Sequence, residues 1–130
     1  MTTRTSDVRV GVVPMPAPRP RMTKWGSAYY PASYTAHMKE LAAALPKCAD
    51  PLLTGELVLV IEFVCKPIAK SKFTTPAGDL DNLSKPLMDV LTKEGWYGDD
   101  RQIMSLLLSK RFPKPGETPH INFRLADYKA

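Results

Sequence analysis

An α+β fold, with a small mixed β-sheet packed against two α-helices, is predicted by three features of this 130-residue chain. The nearly continuous β-branched run ELVLVIEFVC (56–65) reads as a central strand buried on both faces. Two segments carry apolar residues at helical spacing, and HINFRLAD (120–127) alternates as a strand does. Helices and strands interleave without internal repeats. The length allows one domain, 1–130, with 1–7 and 127–130 as tails.

The elements follow in order. DVRVGVVPM (7–15) has enough β-branched residues for a first strand. Pro16, Pro18 and Pro20 then impose an extended arm, because proline fixes φ and lacks an N–H. The stretch RPRMTKWGSAYYPASY interleaves Arg19, Arg21 and Lys24 with Trp25, Tyr29, Tyr30 and Tyr34. Such cations neutralise phosphates and such rings stack on unpaired bases. The arginines read as phosphate contacts, the tyrosines as packing onto the domain. SYTAHMKELAAAL (33–45) is the first helix, with Ser33 or Thr35 as cap and Met38, Leu41, Ala42 and Leu45 as its inner stripe. His37, without a partner at metal spacing, reads as a solvated surface residue.

Beyond the central strand, KPIAKSKFTTPAG (66–78) is a basic loop carrying Lys66, Lys70 and Lys72. DNLSKPLMDVLTKEG (81–95) is the second helix, with Leu83, Leu87, Val90 and Leu91 inward and Gly95 as its stop. Proline belongs in a first turn, so Pro86 places the regular start near Ser84. RQIMSLLLSKRF (101–112) is a strand whose leucine triplet blurs the alternation, and Leu106 to Leu108 offer more apolar surface than one small sheet face requires. After the turn PKPGETP, the last strand sets Ile121, Phe123 and Leu125 on one face and His120 on a half-exposed other.

Composition narrows the function classes. Lysine and arginine total 18 against 13 acids, a formal charge of +5 that suits a polyanionic partner. Cys48 and Cys65 lack CxxC spacing and a histidine cluster, which favours buried free thiols in a reducing compartment over a disulfide framework or zinc site. No apolar run reaches the roughly 18 residues of a membrane span, and MTTRTSDVRV has no secretion-signal core. A cytoplasmic location with no membrane partner is expected.

Against that basic background, GDLDNLSKPLMDV gathers Asp79 and Asp81, and WYGDDRQI adds Asp99 and Asp100. Helix capping explains Asp81 and leaves Asp79 unexplained. Of the adjacent pair only one can join the first two, and the residues alone leave both open. Three converging carboxylates repel, and a hard divalent cation relieves the repulsion. Phosphodiester hydrolysis uses such an ion to activate water and offset charge at phosphorus. Lys85 lies four residues after Asp81 and four before Asp89, either as part of a surface ion ladder or as a cation for the scissile phosphate. The D-x-D spacing also serves other metal-dependent enzymes.

GDLDNLSKPLMDVL followed by GWYGDDRQI resembles the signature of the RusA family of Holliday-junction resolvases, D-x-D-N-x-x-K, a helix, then D-D-x-Q-[IV]. The resemblance extends over about Arg19 to Phe112. It implies a RusA-like domain, bacterial or phage-encoded, that acts as a homodimer and resolves four-way junctions by paired nicks during recombination and repair. It implies Mg²⁺ as cofactor, with Mn²⁺ as substitute, held by the catalytic Asp79, Asp81 and Asp100, and Lys85 as the essential lysine. Asn82, Asp89, Asp99 and Gln102 take supporting roles. Arg19, Arg21, Lys24, Lys70 and Lys72, with Lys110 and Arg111, are the expected phosphate contacts. Two alternatives stand beside this: a non-catalytic basic DNA-binding module, and a Mg²⁺-dependent nuclease for other branched or single-stranded DNA.

Overall fold

The computed structural model describes residue 5 and residues 7–48, 52–68 and 73–128. In chain order the elements are β1 (Val8–Val10), a hairpin of β2 (Arg21–Met22) and β3 (Ala28–Tyr29), α1 (Ala32–Ala44), β4 (Leu57–Val64), α2 (Leu80–Lys93), a 3-10 turn (Asp100–Gln102), β5 (Ile103–Arg111) and β6 (His120–Asp127). Four strands form a mixed sheet in the order β1-β6-β4-β5. β4 runs parallel to β5 through the α2 crossover and antiparallel to β6. This is the predicted α+β class, with β4 central as expected.

β4 turns Leu57, Leu59, Ile61 and Phe63 into the core, where they meet Ile121, Phe123 and Leu125 of β6. From α2, Leu83, Leu87, Val90 and Leu91 close over them, and Leu41 arrives from α1. Each such side chain contributes about 1.5–3 kcal/mol by leaving water. Trp96 packs edge-on against Phe123 with ring centroids 5.3 Å apart. Cys65 is buried as a free thiol, and Cys48 is half-buried.

β5 carries a register slip ahead of its leucine triplet. Leu57 faces Ile103, but Val58 faces Ser105, so the register slips by one residue at Met104. Leu106 and Leu108 thereby align with Leu59 and Ile61, while Leu107 aligns with Val60 on the other face. Because β5 ends the sheet, Met104, Leu106 and Leu107 remain exposed along its edge.

Several local expectations are corrected. α1 begins at Ala32 after Pro31 rather than at a Ser33 or Thr35 cap, and no side chain caps it. His37 is buried, 5% exposed, and burial pushes its pKa down. His120 is also buried, 6% exposed, with its ring Nδ1 2.9 Å from Thr118 O. Tyr34 does pack inward, whereas Tyr29 and Tyr30 are exposed.

α2 starts at Leu80, not near Ser84, and Pro86 lies inside it. A proline in a helix leaves the carbonyl four residues earlier without its N–H donor. That carbonyl belongs to Asn82, and it accepts instead from Ala17 N at 2.8 Å. The helix therefore continues through Pro86 because the proline arm fills the vacancy. At the other end Gly95, at φ 77°, closes the helix as expected: its N–H reaches Thr92 O and that of Trp96 reaches Leu91 O, a Schellman arrangement.

Candidate active site

The two acidic segments lie at opposite ends of α2. Asp79 is its N-cap, with φ −70° and ψ 140°, and the Asp79 carbonyl accepts from Leu83 N at 2.9 Å. Its side chain makes no capping bond. Asp81 falls in the first turn, where its carbonyl accepts from Ser84 Oγ at 2.8 Å. Both carboxylates are exposed, and neither has a hydrogen-bond or ion-pair partner among the described residues. Capping, the structural explanation for Asp81, applies to neither side chain.

The backbone beneath this pair is fixed from several directions. Lys110, on β5, donates from Nζ to Pro76 O at 2.9 Å and to Gly78 O at 2.6 Å. A side chain at residue 78 would press on Leu83 at 3.1 Å, so glycine permits the close approach of loop and helix. One turn in, the Ala17–Asn82 bond ties the arm to the same helix end. Lys110 was expected to touch phosphate; its ammonium is instead occupied with positioning the chain before Asp79. Long-range contacts of this kind leave no trace in local spacing.

Lys85 is exposed one turn after Asp81, with Nζ 3.5 Å from Asn82 Oδ1. It forms no ion pair with Asp81 or Asp89 among the described residues, so the ladder is absent. Arg111 is also engaged, by Glu117 and Glu62, which corrects its assignment to phosphate. Arg19, Arg21 and Lys24 are exposed on the arm and hairpin. Lys70 and Lys72 lie outside the described residues.

At the far end the adjacent aspartates separate their tasks. Asp99 caps the 3-10 turn: its side chain accepts from Arg101 N at 2.8 Å, and Gln102 Oε1 reciprocates by accepting from Asp99 N at 3.1 Å. Gln102 Nε2 also donates to Leu53 O and Gly55 O, joining the turn to the segment before β4. Asp99 and Gln102 are thus engaged in holding the turn. Asp100 turns the other way, and its Oδ1 accepts from Thr92 Oγ1 at 2.7 Å and from Tyr97 OH at 3.0 Å. Partial burial and the nearby Asp100 carboxylate raise the pKa of Asp89. Burial is likewise the main cause holding the Tyr97 phenol protonated.

Thr92 follows Asp81 by eleven residues, about 16 Å of helix rise. Within one chain, Asp100 is thus held at the opposite end of α2 from Asp79 and Asp81. No group of three His, Cys, Asp or Glu side chains among the described residues is gathered to hold a metal ion. A hard ion such as Mg²⁺ takes one or two carboxylates, with water and phosphate filling the rest. Asp79 and Asp81, exposed and unpaired, suit that smaller donor set; the full triad does not form within one chain.

The sequence matches the family model of endodeoxyribonuclease RusA over residues 11–125, most of the chain. No curated protein matches it. Among the described residues no helix is long and apolar enough to cross a membrane. The matched span takes in the proline arm, both helices and both acidic segments, so the family pattern and the free carboxylates coincide on the same stretch of structure. This chain belongs to the RusA family of endodeoxyribonucleases, enzymes of Holliday-junction resolution.

Proposed function

We propose that this protein is a Mg²⁺-dependent resolvase that nicks four-way DNA junctions in pairs, as a homodimer, in the cytoplasm of a bacterium or a phage-infected cell. The observation carrying the proposal is the pair of unspent carboxylates at the head of α2, above a backbone clamped by Lys110 and the proline arm. A fold that holds two exposed aspartates on a fixed helix end, in a chain of charge +5, has made a local acidic island within a basic surface. That combination suits a cation shared between protein and phosphate.

Asp79 and Asp81 would hold the ion. When bound, it supplies Lewis acidity and offsets negative charge developing at the scissile phosphate. The chain's own residues do the remaining work. Lys85, one turn along and free of carboxylate partners, supplies a point charge to the phosphate in the transition state. Arg19, Arg21 and Lys24 grip flanking phosphates, and the sequence position of Lys70 and Lys72 just before Asp79 assigns them the same task.

Asp100 joins the site from the second copy. Its tether to Thr92 and Tyr97 keeps it from Asp79 and Asp81 of its own chain, whereas a two-fold pairing brings unlike ends of two molecules together. The exposed edge of β5, with Met104, Leu106 and Leu107, supplies an apolar surface for that pairing. Two equivalent sites then match the symmetry of a four-way junction.

The test is cleavage of a synthetic four-way junction with Mg²⁺ or EDTA, by the wild type and by Asp81→Asn, against flap and single-stranded competitors. The expected result is symmetrical nicks in the junction alone, abolished by EDTA and reduced by about 10³-fold in the variant. Equal product from both proteins overturns the site. Metal-indifferent binding without scission would leave only a DNA-binding module.

A further inference from the structure

The β2–β3 hairpin is absent from the sequence expectation and has no part in the core, yet its tip is tightly built. Thr23 N donates to Ser27 O at 2.8 Å and Gly26 N to Thr23 O at 3.0 Å, with Gly26 at φ 84°. Thr23 Oγ1 accepts from Ser27 N at 3.1 Å and from Trp25 N at 3.3 Å. On this fixed loop Trp25 stands 82% exposed. Lys24 Nζ lies over its ring, 5.1 Å from the centroid. On the same hairpin Met22 and Tyr29 are also exposed, while Tyr30 packs its ring against Tyr34.

An indole held out in water on a hydrogen-bonded turn has surrendered the burial that normally places it. Its surroundings state what kind of surface it fits. From Val8 to Lys39 the chain contains no acidic residue; Lys24 lies over the ring, and Arg21 on β2 and Arg19 in the arm before it are exposed. The patch therefore complements a polyanion that also presents a flat aromatic face. The location fits too: the arm is pinned at Asn82, one residue from Asp81, and at most about 14 Å of chain separates Ala17 from Arg21.

We infer that the hairpin is a base-stacking site, with Trp25 capping an unstacked nucleobase at the branch point while Arg21 and Lys24 hold the adjoining phosphates. In a linear duplex both faces of every interior base are covered by its neighbours. A branch offers uncovered faces, so the site contributes selectivity for branched over linear DNA. The inference takes its ligand from the proposed junction activity, but its test needs no cleavage.

The protein's two tryptophans make that test direct, because Trp96 is only 3% exposed. Tryptophan emission is titrated in EDTA with a four-way junction, a single-stranded oligonucleotide and a linear duplex, each brought to saturation as judged by mobility shift. Junction and single strand are expected to quench the Trp25 signal, the duplex to leave it unchanged, and Trp25→Phe to remove the quenching. Trp25→Ala is expected to weaken junction binding about tenfold with an unchanged salt slope, whereas Lys24→Gln lowers the slope by about one. Equal quenching by the duplex, or none by a saturating junction, overturns the inference. So does altered sedimentation of free Trp25→Ala, which would make the hairpin a subunit contact. A wild type that binds and quenches without cutting defeats the nuclease proposal alone. A wild type that cuts while Trp25→Ala binds junctions equally well defeats the stacking site alone.

Discussion

Ala17 donates its backbone N–H to the Asn82 carbonyl that Pro86 cannot reach. Pro16 and Pro18, on either side, have no N–H to give, so Ala17 is the donor available at that point of the arm. One proline opens an acceptor inside a helix, and a proline-rich strand presents the residue that fills it. The bond fastens the basic arm within one residue of Asp81.

Replacing Ala17 with Pro removes that donor. The expected cost is about 1–3 kcal/mol, since the Asn82 carbonyl then lacks a partner. Pro86→Ala restores a donor within the helix, so the double variant should recover part of the loss. Thermal denaturation of the four proteins measures the coupling, and strict additivity would contradict the link.

Lys110→Met tests the clamp before Asp79. Losing the bonds to Pro76 O and Gly78 O should slow junction cleavage by about 10-fold or more while leaving affinity within about 3-fold. A phosphate-binding lysine would give the opposite split, with weakened binding and a smaller salt slope. Lys110→Arg should recover part of the rate.

Acid stability should report on Glu117. Its hydrogen bond to Arg111 holds the carboxyl at about 2, below the ordinary 4.5. For a depressed acid the stabilisation is complete above the unfolded pKa and is lost as pH falls through the folded one. Glu117→Gln should therefore melt below the wild type at neutral pH. The gap should shrink as pH drops below 4.5 and close near 2. A gap independent of pH would assign the effect to packing.

Mixing subunits tests where Asp100 acts. Asp81→Asn and Asp100→Asn proteins should each be inactive alone. If sites are shared between subunits, a mixed dimer carries one intact site, and an equal mixture should nick at about a quarter of the wild-type rate without pairing the nicks. A mixture as silent as its components would place Asp100 elsewhere in the mechanism.

Much of this was legible in the chain. The apolar run of β4 and the clean alternation of β6 specify strands whatever surrounds them, and a second helix follows the D-x-D pair as expected, though it starts at Leu80 with Asp79 as its N-cap. What escaped depended on distant partners. Pro86 argued for a late helix start because its compensating donor lies far away in the arm. Lys110 and Arg111 looked like free cations because Gly78, Glu62 and Glu117 are neighbours only after folding. His37 and His120 are polar by type and buried by tertiary packing. The hairpin strands are two residues each, too short for periodicity to register. The residues alone left Asp99 and Asp100 both open, the family resemblance chose Asp100, and folding put Asp100 beside Asp89 rather than beside Asp81.

The most direct measurement is anomalous scattering from Mn²⁺ in crystals of the junction-bound protein. The expected peak lies between Asp79 and Asp81 at the head of α2, with Asp100 of the partner subunit alongside, and disappears in Asp81→Asn. A peak seated instead on Asp89 and Asp100 of a single chain, unmoved by that substitution, would contradict the account.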